Sequence, residues 1–569
     1  MSFANDQQSG INNNQSLLSD PLIQLPTKTT INVVWFTEFL GDRHLVNYGK
    51  QLEQIAIAKT TKLSRVREDS ESLINNLDSP PNKSQRDIWR HEAVIKGLVP
   101  SQRVPYRVAS HQGEQVSHSD VFTLASLPPK EAPLKILLTS DHQLMPMTTA
   151  NLEQVVKTVG SVDAVFFPGD LVNVPDRASE WFDDRRGGAF FPSLQGKANY
   201  QFKRNGITTT YHGGEIIQHA PLFTAIGNHE VMGKVSGDRS LKQEFAQPQP
   251  RRVAKDLYQL DVQQGNLADD DLTKTEWIKD NSFNTDTYEE IFTLPQSNSG
   301  GKKYYATTFG DIRLISLYVT NIWRSNSLAP DIQGRYQESQ SSLNRPQDWG
   351  YGQHIFEAIA KGSPQYEWLK QELASEAYRT AKYKIVMFHH PPHTLGGNIV
   401  PPFTNPQPRE TYAKDGKLTS RHYDYPIKDD YIIRDLIPLL ESAGVQLVYY
   451  GHSHLWNRFQ SDSGMHFLES SNVGNSYGAH LGDNKREIPT YSPQNYLAIG
   501  DPNGLEPIVP NIAPLMDDAG QPLPYLASND ITAFSIFDTA TGTVSSYRYD
   551  LRQPDIPAIM FDQFKLRRN

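Results

Sequence analysis

Hydrophobic residues along this chain gather in short runs broken by Gly, Pro, Asn and Asp, and the pattern within the runs changes near residue 130. Before that point, "TTINVVWFTEF", "RVPYRVAS" and "SDVFTLASLP" are rich in β-branched and aromatic residues and read as strands. The stretch from Gln54 to Asp87 is more polar and reads as a loop-out, and "SLPPKEAP" as a linker. Residues 27–130 are therefore expected to form a small all-β sandwich. Residues 1–26, rich in Asn, Gln, Ser and Asp, bury too little surface to offset the entropy of ordering and read as a flexible tail.

After the linker the pattern alternates. "LKILLTSD", "VDAVFFPGD", "APLFTAIGNHE", "YKIVMFHHPP" and "VQLVYYGHSH" begin as apolar strands. "TTANLEQVVKTVG", "SPQYEWLKQELASEA" and "DYIIRDLIPLLESAG" have helical spacing. "KYYATTF" with "RLISLYV", and "ITAFSIFD" with "VSSYRYDL", read as hairpins. Strand, crossover helix, strand predicts an α/β fold whose sheet is covered by helices. Long segments near 174–220 and 231–300 interrupt the alternation and are expected as insertions that wall or lid a site.

Composition narrows the picture. A chain of 569 residues, 37% hydrophobic and 21% charged, is globular and long enough for two or three units. The formal charge of −9 is small for this length and no block of Lys and Arg stands out, so no nucleic-acid partner is expected. Cysteine is absent, which removes disulfides and thiolate catalysis. No basic start followed by an apolar stretch opens the chain, and no long apolar run follows. The expectation is a soluble, cytoplasmic protein with no membrane partner; the oligomeric state is left open.

The polar residues collect in one kind of place. "TSDHQ", "PGDLVN", "GNHE", "FHHPP" and "GHSH" each end an apolar strand, and in open α/β sheets the carboxyl ends of strands converge on the ligand crevice. Asp141, Gln143, Asp170, Asn228, His229, His389, His452 and His454 would thus meet. Carboxylate, amide oxygen and imidazole suit Mn, Fe(II) or Zn. A lone "GNHE" or "GD" is most often a turn; five in one order are specific.

That order resembles the calcineurin-like metallophosphoesterase superfamily. "VVWFTEF" and "HEAVIKGLVPSQRVPYRVAS" resemble the fibronectin-III-like N-terminal domain of purple acid phosphatases. The resemblance implies a metallophosphoesterase β-sandwich core flanked by helices in α-β-β-α layers, spanning residues 131–569, with a dinuclear metal centre. It implies that Asp141, Gln143, Asp170 and His454 hold one metal. Asp170 would bridge to a second, held with it by Asn228, His389 and His452, and His229 would protonate the leaving oxygen. The expected activity is hydrolysis of phosphate monoesters or diesters by direct attack of a metal-bridging hydroxide. The alternative is a catalytically silent protein that uses the phosphate pocket for binding or scaffolding.

Two positions depart from the family pattern. Gln143 stands where the family has His; alternation near a strand end points Asp141 and Gln143 together and His142 away. Gln143 would act through its amide oxygen or a water it holds, so the first metal is expected to bind less tightly. Asn173 stands where purple acid phosphatases have the tyrosine that gives their colour, so none is expected. His390 and His393 read as pocket wall or support, and Arg185, Arg186 and Arg458 as surface or ion-paired residues more readily than phosphate contacts. His212 and His219 read as ordinary loop residues. "GAFFPSLQG" is expected to pack, beside the substrate or elsewhere.

Overall fold

In the computed structural model, which describes residues 16–322, 324–325, 327–398 and 402–567, the apolar strands of the alternating region form two sheets. One runs, across its width, Leu222–Thr224, Ala164–Phe167, Lys135–Leu138, Ile531–Asp538, Thr543–Asp550 and Ile559–Lys565. Its first three strands are mutually parallel and the rest antiparallel. The other runs Tyr305–Phe309, Ile312–Ser316, Tyr383–Met387, Leu447–Tyr450, His466–Ser470, Trp456–Gln460 and Tyr525–Leu526. Its four consecutive strands from Ile312–Ser316 to His466–Ser470 are parallel.

Successive side chains of a strand point to opposite faces, and the second sheet obeys this strictly. Leu314, Ile385, Met387, Leu447, Tyr449 and Leu468 share a buried cluster with Ile136, Leu138, Phe166, Phe534 and Ile536 of the first sheet. Their neighbours Ile315, Val386, Val448, Tyr450 and Phe467 join Leu369, Leu373, Leu436 and Leu440 on the other side. Those leucines belong to the helix Pro364–Leu373 and to the helical stretch from Ile432 to Ser442. On the first sheet, the helix Thr148–Val159 adds Leu152 and Val155 to the core. Both sheets are buried on both faces, which is why their strands read as unbroken apolar runs. The result is a layered arrangement of helices, two sheets and helices, as the resemblance implies.

The N-terminal region is all-β. Leu22–Gln24, Ile31–Thr37, Trp89–Ile95 and Lys59–Lys62 form one sheet. Gln115–His118, Val104–Gln112, Arg43–Tyr48 and Gln54–Ile57 form another, with Phe122–Leu124 paired to Val104–Gln112. A shared core of Val33, Trp35, Val46, Tyr106 and Val108 lies between them. Leu22–Gln24 corrects the expectation of a tail through residue 26: all three of its residues are buried, and the strand pairs with Ile31–Thr37. Residues 1–15 of that expected tail lie outside the described residues. The polar stretch from Gln54 to Asp87 supplies two of the strands before it loops out, and the loop itself is anchored. Its Arg67, Asp69 and Arg86 make ion pairs with Asp176, Arg177 and Asp183 of the first insertion. "GAFFPSLQG" packs inward: Phe190 and Phe191 are buried against Trp181, and Phe191 also meets Phe36 of the N-terminal sheet. No helix among the described residues is long and apolar enough to cross a membrane.

Candidate metal centre

Each of the five motifs leaves the carboxyl end of a parallel strand, three from the first sheet and two from the second. The ends face one another. His389 Nε2 lies 3.1 Å from Asp170 Oδ2, and Gln143 Nε2 donates to the same oxygen at 3.1 Å. His454 Nε2 lies 3.5 Å from Asp141 Oδ1, and His389 Nε2 3.2 Å from His452 Nδ1. Donor atoms of Asp141, Asp170 and His454 all fall within 4.8 Å of one another, and so do those of His389, His390 and His452.

The turns that carry these groups are tight. Of the seven residues expected to ligate, Asp141, Gln143, Asp170, His452 and His454 sit at positive φ, between 41° and 82°. Left-handed backbone is costly for residues with a Cβ, and it persists where surrounding structure forces it, typically at functional sites. Glycines make room. A Cβ at Gly227 would stand 2.2 Å from Asp170 Oδ1, and one at Gly451 would stand 2.1 Å from Asp141 Oδ2. The glycines of "GNHE" and "GHSH" are there because a carboxylate occupies the space beside them.

Hydrogen bonds fix what the turns deliver. The Glu230 carboxylate accepts the N–H groups of Asp170, Leu171 and Gly227, tying two ligand turns together. Burial and then the charge of Asp170 push Glu230 up to about 8. His452 N–H donates to both oxygens of Asp141 at 3.0 Å. His389 Nδ1 meets Pro168 O at 3.1 Å and His454 Nδ1 meets Asn475 O at 3.0 Å, so the Nε2 atom of each ring faces the carboxylates. Burial alone would favour a neutral Asp170, but His389 and His229 hold its carboxyl well below the usual range. Burial would likewise lower His389, yet Asp170 raises it to about 9.

Among the described residues, the buried atoms at the centre without a hydrogen-bond partner include Gln143 Oε1, Asn228 Oδ1, His452 Nε2 and both ring nitrogens of His390. Such groups ordinarily find partners, and lone pairs left over beside carboxylates are the donor set of a cation site. His142 faces away, as alternation requires. Its Nε2 meets Thr139 Oγ1, its ring packs on Phe167, and burial lowers it to about 3.

Asp170, Gln143, Asn228, His229, His452 and His454 line a cavity of about 420 Å³. His229 Nδ1 meets Asn173 O at 2.6 Å, and its ring stacks on Phe245 of the second insertion. Burial lowers its pKa against the pull of Asp170. Asn173 is fixed in turn: its side chain donates to Gln143 O, and its N–H to buried Glu180. The second insertion lines the cavity from Lys242 to Pro248; the first contributes no lining residue. Arg324, Phe356 and Tyr477 also line it. No sequence signal marked these three, because they come from connections without periodicity.

Other candidates lie apart from the cavity. Arg458 is bidentate to Asp562, Arg186 pairs with Asp184, and neither they nor Arg185 line the cavity. His393 pairs with Asp501. His212 bonds Ala198 O, and His219 meets Glu215. His390 lies closer in than a supporting wall: its ring is 3.9 Å from that of His452.

The structure is similar to that of purple acid phosphatase PPD1 isolated from yellow lupin (Lupinus luteus) seeds. The TM-score is 0.52 at 13% identity, over 97% of this chain and 74% of that one, a likeness of fold. No curated protein sequence matches the chain. The calcineurin-like phosphoesterase family matches residues 134–455, from the strand before Asp141 to the residue after His454. A match over more than half the chain, ending on the same motifs that meet in the cavity, places this protein in the calcineurin-like phosphoesterase family.

Proposed function

We propose that this protein hydrolyses phosphate esters at two divalent cations, one held by Asp141, Gln143, Asp170 and His454, the other by Asp170, Asn228, His389 and His452. The observation that carries this reading is the set of unpartnered, buried Gln143 Oε1, Asn228 Oδ1 and His452 Nε2 beside two carboxylates. Asp170 suits the shared position because a group between two cations must be anionic. When bound, such cations supply Lewis-acid charge neutralisation and lower the pKa of water toward neutrality.

The remaining work falls to the chain itself. His229 places one ring nitrogen on Asn173 O and turns the other toward the cavity, where it gives its proton to the leaving oxygen. Phe245, stacked on the ring, fixes that orientation. Asn173 serves as the anchor for His229 in place of a coloured tyrosinate, so iron-loaded protein should lack a visible charge-transfer band. No Ser or Cys nucleophile is required. Metal analysis and turnover of para-nitrophenyl phosphate and its bis-ester, with Mn, Fe(II), Zn or chelator, test the reading. Chelator-sensitive turnover is expected, and the ratio of the two rates assigns monoesterase or diesterase. Full turnover in chelator would overturn the proposal.

A further inference from the structure

Phe356 lines two cavities, the one at the metal centre and a second of about 420 Å³. The second is bordered by Pro250, Arg251 and Arg252 at the start of the helix Arg251–Gln263, by Phe283, and by Tyr351 and His354. That helix starts against electrostatic expectation. Helix N-termini favour acidic residues and a capping side chain, because the first N–H groups lack partners and carry partial positive charge. Here the cap is Pro250, no side chain caps, the first turn holds no acid, and the first two residues are arginines.

The basic groups also lack acidic partners. Arg251 lies over the Phe283 ring at 4.5 Å and Arg252 over Tyr351 at 5.9 Å, and neither forms an ion pair among the described residues. The acid that Arg251 influences, Glu357, is itself held toward the neutral form by burial. His354 is only 6% exposed, lines the same cavity, and has no partner for either ring nitrogen. Arg324, on the wall of the metal-centre cavity, is buried without an ion pair among the described residues and donates to the carbonyls of Gly352 and Pro248. Arg324 and Arg252 both act electrostatically on His354, so positive groups run from one cavity to the other. In a chain of net charge −9, Arg251 and Arg252 thus stand without an ion pair among the described residues beside an unpartnered buried imidazole, with Glu338 held on the N–H of Tyr351 at the edge of the cavity.

We propose that the second cavity is a phosphate-binding site, formed by the N-terminus of the helix Arg251–Gln263, the guanidiniums of Arg251 and Arg252, and His354. Free N–H groups of a helix start bind phosphate, guanidinium forks match its oxygens, and a neutral imidazole still has one N–H to give. The aromatic rings beneath the arginines hold their planes. The phosphate is either a second phosphate on a substrate whose first lies at the metal centre, which rests on the function proposed above, or free phosphate bound on its own.

The test is calorimetric titration of inorganic phosphate into the full-length, chelator-treated protein, comparing wild type with the double variant Arg251→Gln/Arg252→Gln. Both arginines are exposed, so the variant should fold, and its circular dichroism and melting should match wild type. Saturable binding to wild type, weakened about tenfold or more in the variant, is the expected result. Absent binding, or equal binding in both proteins, overturns the proposal. Metal-loaded turnover of para-nitrophenyl phosphate, which has one phosphate, should be equal in the two proteins; its absence from both would count against the hydrolase reading and leave the titration to judge the cavity. A monophosphate and a bisphosphate ester of the same diol then identify the source. A KM raised only for the bisphosphate assigns the site to substrate, and unchanged KM values with phosphate binding lost assign it to free phosphate.

Discussion

Two regions of this protein bury charge densely, and they differ in what is left over. At the seam between the N-terminal region and the insertions, Arg86 meets Asp183, Glu68 and Glu38, Arg177 meets Asp69 and Glu180, and Arg67 meets Asp176 and Glu244. The atoms without partners among these residues are donors, the Nε atoms of Arg67 and Arg177. At the metal centre they are acceptors and imidazole nitrogens. The seam brings its own cations in the sequence and closes on itself. The centre brings carboxylates, amides and imidazoles and leaves lone pairs that an added cation would satisfy. Buried charge by itself therefore says little about function; the sign of the unpaired remainder says more.

That contrast can be broken by substitution. Asp170→Asn keeps the shape but removes the shared negative charge, so turnover should fall by about 10³-fold or more with loss of bound metal, measured by steady-state kinetics and metal analysis. Unchanged metal content would move the bridging role elsewhere. Arg86→Met should do the reverse. Leaving buried Glu68 and half-buried Asp183 without their cation should cost about 3 kcal/mol in denaturant unfolding, while folded protein keeps its metal. A loss below about 1 kcal/mol would show the seam to be dispensable.

Smaller changes sharpen the comparison within the centre. His229→Ala should spare metal content and slow turnover by about 10²-fold, most for esters with poor leaving groups; equal slowing across leaving groups would remove it as the proton donor. Gln143→His should tighten the first metal site by about tenfold for Zn, read by competition with a chelator. If affinity is unchanged, the Gln143 side chain is not a ligand.

Acid provides the mildest test, read at Glu92 beside Arg90 of the N-terminal sheet. Burial opposes ionisation of Glu92, but Arg90 holds its carboxyl down at about 2, below the ordinary 4.5. Its stabilisation is present above pH 4.5 and is lost as pH falls toward 2. A Glu92→Gln variant should therefore show a shallower decline of Tm between pH 5 and 3 than wild type. Parallel declines would mean that other carboxylates dominate.

The residues of the centre were legible in the sequence because parallel strands buried on both faces spell continuous apolar runs. Whatever polar residue follows such a run must emerge at the carboxyl edge. That rule gathered Asp141, Gln143, Asp170, Asn228, His229, His389, His452 and His454, with the family's pattern of His, any residue, Pro choosing His389 over its neighbours, and alternation turned His142 away. The alternation of strands with helices also marked a helix-covered sheet, while the second sheet was implied only by the family resemblance. The first strand escaped it: Leu22–Gln24 is three residues inside a polar stretch, too short for any pattern.

Contacts between distant segments belong to another class. The positive φ of five candidate ligands, the carboxylates pressed against Gly227 and Gly451, and the tie from Glu230 to the Asp170 turn depend on where two sheets meet. The pairing of Arg86 with Asp183 and the absence of an ion pair for Arg251 among the described residues are equally invisible in composition, which counts charges without placing them. The chain's local pattern dictated which residues reach the edge of each sheet, because strand geometry is set by neighbours in sequence. Only tertiary packing decided which of those groups meet, which are neutralised and which remain open, because electrostatic and hydrogen-bond partners are set by distance in space.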